Sequence, residues 1–209
     1  MALYNVEAVN IRSINAGEAD KIVTLFSRGQ GKIRAIAKGA KRPSSKFGGR
    51  LEIFTYNHFQ LATARNLDII SQCETIESFY RLREDKEKLN AGFYIVKLID
   101  IITEDRQRND EVFDLLLEAL FAMQASVDMN VLLRGFEVKL STIEGFLPSD
   151  QMLEKKYKRL PQIVGALSAA LDRPKADLTD KDLEISGRVF REIISDHTGK
   201  DIRKVKIYI

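Results

Sequence analysis

The sequence predicts an α+β, multi-domain chain: a small closed β-barrel over residues 1–79, then an all-α helical domain over 80–209. Three observations carry this. The first 79 residues alternate apolar and polar side chains in short runs, as half-buried strands do. Five such runs fall within about 75 residues with no long helix between them, which suits a small closed barrel. After Phe79 the apolar positions change from a period of about 2 to about 3.6, the helical repeat.

Taken in order, LYNVEAVNI (3–11) is rich in β-branched and apolar residues, and Asn15-Ala16-Gly17 is a turn signal after it. KIVTLFS (21–27) leads into Arg28-Gly29-Gln30-Gly31, a glycine-bearing hairpin connection. In KIRAIAK (32–38), Ile33, Ala35 and Ala37 share one face, and Lys32, Arg34, Ile36 and Lys38 the other. LEIFTYNHFQLA (51–62) reads as a fourth strand, with Leu51, Ile53, Thr55 and Phe59 set against Glu52, Phe54, Tyr56 and His58. LDIISQCETI (67–76) is the fifth, after a turn at Ala64-Arg65-Asn66. Among small barrels, the five-stranded oligonucleotide-binding (OB) fold matches this size.

The helical part opens with a long stretch, 79–104, interrupted at Gly92. DEVFDLLLEALFAM (110–123) puts Phe113, Leu116, Leu117, Leu120 and Met123 on one stripe. NVLLRGFEVKLSTIEG (130–145) does the same with Leu132, Phe136, Leu140 and Ile143, and Gly145 is placed to stop it. PQIVGALSAAL (161–171) offers Ile163, Val164, Leu167 and Leu171. A last helix starts where Thr179 or Asp180 can cap it and ends before Gly199.

Composition narrows the function. With 44% hydrophobic residues the chain can bury a core. No apolar run reaches the roughly 18 residues of a membrane span. The N-terminus has no signal-peptide core, so a cytoplasmic protein without a membrane partner is expected. The one cysteine, Cys73, excludes an internal disulfide and a multi-cysteine metal site. The two histidines, His58 and His197, lie far apart without ligand spacing. Neither Gly29-Gln30-Gly31-Lys32 nor Gly199-Lys200-Asp201 fits the phosphate-loop pattern. No cofactor, metal or catalytic residue is expected, and the chain reads as a non-enzyme.

Charge is where the sequence speaks. Residues 1–80 hold 11 Lys/Arg against 7 Asp/Glu, a balance of +4, whereas 81–209 hold 22 against 23, a balance of −1. Arg28, Lys32, Arg34, Lys38, Lys41, Arg42, Lys46 and Arg50 form a run with no acidic residue among them. Cations on a strand beside a Gly/Ser loop can follow a row of phosphates, releasing counterions as they bind. Phe47 inside the loop, and Tyr56 and His58 on one strand face, are candidate stacking partners for unpaired bases. Phe54 and Phe59 read as core. In the helical half, Arg134 and Lys139 flank Phe136, a pattern that suits an acidic peptide ending in an apolar residue. The competing reading is an adaptor whose barrel binds a protein and whose basic loop is incidental.

Residues 18–54, EADKIVTLFSRGQGKIRAIAKGAKRPSSKFGGRLEIF, resemble the N-terminal signature of the RecO family of bacterial DNA repair proteins. The matching elements are Asp20, Thr24-Leu25-Phe26-Ser27, Gly31-Lys32, Lys38-Gly39, Ser45, Leu51-Glu52 and Phe54. RGFEVKLSTIEGFLP (134–148) is similar to the family's helix ending in a Gly-aromatic-x-Pro turn. The resemblance implies an OB barrel joined to a helical domain, and a recombination mediator rather than an enzyme. Such a protein binds single- and double-stranded DNA, anneals complementary strands and cooperates with RecR. It contacts the acidic C-terminal tail of single-stranded-DNA-binding protein and so helps load RecA. Many family members carry four zinc-binding cysteines just after that turn. Here SDQMLEKKYKRLPQ follows without a cysteine, so no zinc module is expected, and Lys155, Lys156, Lys158 and Arg159 make the segment locally basic.

Overall fold

In the computed structural model of the chain, residues 2–125, 128–171, 178–202 and 205 are described. Five strands, β1 (Leu3–Ala16), β2 (Asp20–Ser27), β3 (Gly31–Ala37), β4 (Tyr56–Ala62) and β5 (Asp68–Glu77), close in the order β1-β2-β3-β5-β4. This is the five-stranded OB barrel that the alternation predicts. Neighbours are antiparallel except β3 and β5, whose parallel pairing of Ala35 with Asp68 and Ile36 with Ile69 closes the cylinder. The first part of β1 pairs with β4 and the second with β2. A bulge between Asn10 and Arg12 divides the two parts, and bulges bend a strand. Val6, Ala8, Val23, Leu25, Ile33, Ala35, Ala37, Phe59, Leu61 and Ile70 fill the interior.

The fourth strand departs from expectation. It begins at Tyr56: a 3-10 turn over Gly48–Leu51 ends where the strand is expected to start, and 52–55 follow an irregular path. Phe54 there has φ of +73°. The cause is a buried asparagine: the Asn10 amide donates to the carbonyls of Leu51 and Glu52. The backbone of Asn10 also exchanges hydrogen bonds with Phe54 and Thr55, at 2.8 and 2.9 Å. These bonds hold 51–55 in an irregular path that places both Leu51 and Phe54 inside.

Seven helices follow among the described residues: α1 (Tyr80–Glu84), α2 (Lys86–Ile102), α3 (Asp110–Ala122), α4 (Met129–Ile143), α5 (Asp150–Lys156), α6 (Leu160–Ser168) and α7 (Asp180–Thr198). The first break falls at Asp85, not Gly92. The Asp85 carboxylate accepts from the Glu87 and Lys88 N–H groups at 2.9 and 3.2 Å and starts a new helix, whereas Gly92 is buried inside α2. Thr179 and Asp182 form a capping box at α7, and Gly199 ends it in the left-handed conformation. Val131, Val138, Leu160, Ile163, Leu167, Phe190 and Ile193 belong to one core of this part. No described helix is long and apolar enough to cross a membrane.

The chain divides into two compact units, Met1–Tyr80 with Ile102–Phe113, and Arg81–Ile101 with Asp114–Ile209. The stretch 102–113, read from periodicity as part of the helical half, groups with the barrel. The Lys32 Nζ donates to the Thr103 carbonyl at 2.9 Å, and the Arg106 N–H donates to the Lys32 carbonyl at 2.9 Å. Phe113 packs against Phe26 and Tyr56 with ring centroids 6.1 and 6.0 Å away.

Candidate nucleic-acid interface

The basic loop leaves the end of β3 and returns to the start of β4, and side chains fix it at both ends. Gly39, with φ of +69°, donates its N–H to the Asp20 carboxylate at 2.8 Å, and the Lys41 N–H donates to the Ala19 carbonyl at 2.9 Å. On the return, the Thr55 hydroxyl and the Asn57 amide both donate to the Arg50 carbonyl, at 2.8 and 2.9 Å. Phe47 and Leu51 point from the loop into the barrel core. The loop is therefore a braced platform.

The nominated cations divide into three groups. Arg34, Lys38 and Arg42 are exposed and make no side-chain hydrogen bond or ion pair among the described residues. Lys41, Lys46 and Arg50 are exposed, and each gives one donor to a backbone carbonyl: Gly17 at 3.2 Å, Ser71 at 2.6 Å and Lys46 at 3.1 Å. Their charge stays at the surface. The third group meets the stretch 102–113, Lys32 as a buried residue and Arg28 as an exposed one. Lys32 is buried, bonded to Thr103 and 3.7 Å from the Asp105 carboxylate, so it is not available to a phosphate. Arg28 lies over the Phe113 ring at 4.9 Å, on the side of the barrel that 102–113 covers.

The stacking candidates fare worse. Phe47 is 2% exposed and belongs to the barrel core, so it offers no ring to a base. Tyr56 is buried and donates its hydroxyl to Glu7. His58 is exposed but stands 3.6 Å from the same Glu7. Burial pushes the Cys73 thiol up to about 12, consistent with an inert packing role.

Register reveals a residue that the sequence reading passed over. Arg12 is paired with Thr24, and Thr24 with Arg34, so the three side chains share one face of β1–β2–β3. Val23, Leu25, Ile33 and Ala35 form the opposite, inward face. The bulge at Asn10 changes which positions of β1 face inward, from Val6 and Ala8 to Ser13, the partner of Val23. Unbroken alternation hides this.

The chain matches the family model described as Recombination protein O N terminal over residues 1–79, and that of Recombination protein O C terminal over 83–151. Among curated relatives, the DNA repair protein RecO of Symbiobacterium thermophilum is 42% identical over 150 residues, which cover 71% of this chain and 59% of that protein. That of Pelotomaculum thermopropionicum is 38% identical over 148 residues, 71% of this chain and 57% of its own. That of Halalkalibacterium halodurans is 36% identical over 159 residues, 76% and 63%. The chain belongs to the RecO family. It spans about three fifths of the length of these relatives.

Several residues that carry the RecO resemblance do structural work. Asp20 and Gly39 tie the basic loop to the β1–β2 turn. Gly31 has φ of +64°, and a Cβ there would meet the Gln107 carbonyl oxygen at 1.8 Å, so only glycine lets 102–113 lie against this hairpin. In the helical unit the nominated trio is not a groove. Phe136 is fully buried, and Lys139 is bonded to Glu118 at 2.6 Å. Arg134 is buried and ion-paired with Glu137 at 2.7 Å, and Glu137 accepts from the Tyr94 hydroxyl. Burial raises the Glu137 carboxyl above its ordinary range, against the pull of Arg134 and Tyr94. Arg134 also lines a cavity of about 310 Å³ with Asn130, Asp180, Glu184 and Arg191. Of the basic segment after Pro148, Lys156 pairs with Glu192 at 2.8 Å and Arg159 lies 3.5 Å from Asp182, while Lys155 and Lys158 are exposed.

Proposed function

We propose that this chain is a non-enzymatic DNA-binding recombination mediator that grips single and double strands on its barrel and promotes their annealing. The observation that carries the reading is a braced loop, with the strand β3 that leads into it, whose exposed cations, Arg34, Lys38, Lys41, Arg42, Lys46 and Arg50, face no carboxylate partner among the described residues. Phosphate is the natural complement of such a surface, because neutralising it releases counterions. Screening two backbones at once lowers the repulsion between strands and lets them pair. Family membership supports the rest: cooperation with RecR, contact with the acidic tail of single-stranded-DNA-binding protein, indirect help to RecA, and a cytoplasmic, nucleoid-associated setting. Within the helical unit Phe136 is sealed in the core, so the cation offered to the acidic tail is Arg191, which lines a cavity with the Glu137-paired Arg134 and with Asp180 and Glu184.

Salt dependence tests the DNA assignment. With about five phosphate contacts to a single strand, log K falls against log salt with a slope of roughly −3.5. Replacing Lys38, Lys41 and Arg42 by Ala makes that slope shallower by about 2 on every DNA sequence alike. A flat salt response in the unaltered protein would return the barrel to a protein-adaptor role.

A further inference from the structure

Resting on the DNA-binding reading, we infer that the barrel holds nucleic acid through the sugar-phosphate chain alone, along a cation row that includes Arg12, and leaves the bases unstacked. The row follows from register. Arg12, Thr24 and Arg34 stand side by side on the outer face of β1–β2–β3, with the two arginines two strand spacings, about 10 Å, apart. Both arginines are exposed, and neither side chain makes an ion pair or hydrogen bond among the described residues. From Arg34 the same outward positions lead through Ile36 to Lys38, where Lys41 and Arg42 continue the positive charge.

The rings of the barrel unit are spent elsewhere. Phe26, Phe47, Phe54, Phe59, Phe79 and Phe113 are each 2% exposed or less. Tyr56 is buried, and the ring of Tyr4 is covered by the Arg106 guanidinium at 5.9 Å. Tyr80 is exposed but begins α1 and lies on no strand. His58 stands beside Glu7 and opposite Glu74 in the sheet, and two carboxylates there repel a phosphate chain. Next to Arg12, Thr24 and Arg34, the outward row is Ile14, Ile22 and Ile36, all at least partly exposed. Aliphatic side chains can rest against deoxyribose but present no π face to a base. OB barrels that stack bases gain about 1–3 kcal/mol per base from rings; this barrel has none on the cationic face. Such a surface holds strands without sequestering the bases, so a bound strand stays ready to pair.

The test compares the full chain's binding to a labelled oligothymidine and to an abasic oligomer of equal length, by fluorescence anisotropy across a salt series. Expected are dissociation constants within about threefold of each other and parallel salt slopes, because charge does the work. Replacing both Arg12 and Arg34 by Ala makes the slope about 1.4 shallower on both oligomers. An abasic oligomer bound more than about tenfold more weakly means stacking, and ends the inference while leaving DNA binding intact. An unchanged slope in the double variant removes Arg12 and Arg34 from the contact and also refutes it. If neither oligomer binds, the DNA-binding reading fails and takes this inference with it.

Discussion

Asp68 shows how one residue's setting decides its role. It lies at the start of β5, nearly fully buried, where β5 meets β3, and accepts hydrogen bonds from Tyr4 and Arg106 and from the Ala64 N–H. Burial works to raise its pKa, but the bonds from Tyr4, Arg106 and Ala64 outweigh it and the net direction is down. A carboxylate held lower in the folded state than in the unfolded one stabilises the fold above the unfolded pKa, about 4, and loses that effect as pH falls through the folded pKa. Asp68→Asn should therefore cost about 2 kcal/mol at pH 7, the scale of hydrogen bonds to a charged group. In urea titrations the gap between variant and parent should close as pH drops below about 4. A gap that stays constant from pH 7 to pH 3 would show that the charge of Asp68 is not what ties 102–113 to the barrel.

Between elements, the decisive contacts are polar and buried. In α4, Arg134 and Glu137 lie one turn apart on the helix and reach Tyr94 on α2, and Arg134 crowds Gly187 on α7, where a Cβ would come 2.1 Å from an Arg134 nitrogen. Removing one member of a buried ion pair strands the other charge, at a cost of about 3–5 kcal/mol, whereas replacing both by apolar residues of similar volume is close to neutral. Arg134→Met alone should fall in the first range, and Arg134→Met with Glu137→Leu should return to within about 1 kcal/mol of the parent by denaturant melts. A double variant as unstable as the single one would mean that the arginine contributes packing rather than charge balance. The basic loop obeys related logic: Asp20, Thr55, Asn57 and Asn10 use their polar groups on its backbone, and the loop's lysines are left facing water.

For the whole molecule, the expectation is an annealing activity that depends on charge at two places. The intact chain should speed pairing of complementary strands coated with their cognate single-stranded-DNA-binding protein. Replacing Arg191 at the helical cavity by Glu should reduce that rate about tenfold while leaving naked-DNA annealing intact, the effect of reversing one charge at a contact worth about 1.4 kcal/mol. Equal rates on DNA coated with binding protein lacking its acidic tail would sink the cavity assignment. Arg191 is the better probe because Arg134 is bound up with Glu137, so its loss confounds folding with binding.

Period and composition, which are local properties, determined much of this protein. Alternation within 32–38 placed the inward Ile33, Ala35 and Ala37 correctly, and the 3.6 repeat placed Phe113, Phe136 and Leu140 on buried faces. The cap at Thr179 and the stop at Gly145 were also legible, because caps depend on side chains within a few residues. What only the tertiary structure decided is which cations and rings remain at the surface. Lys32 reads as an outward lysine until Thr103, some seventy residues on, takes its ammonium. Phe47 reads as a loop aromatic until the barrel it plugs is closed, and Arg12 is hidden by a bulge that only the pairing with β2 exposes. Burial and register are set by partners distant in sequence, and a local pattern carries no record of them.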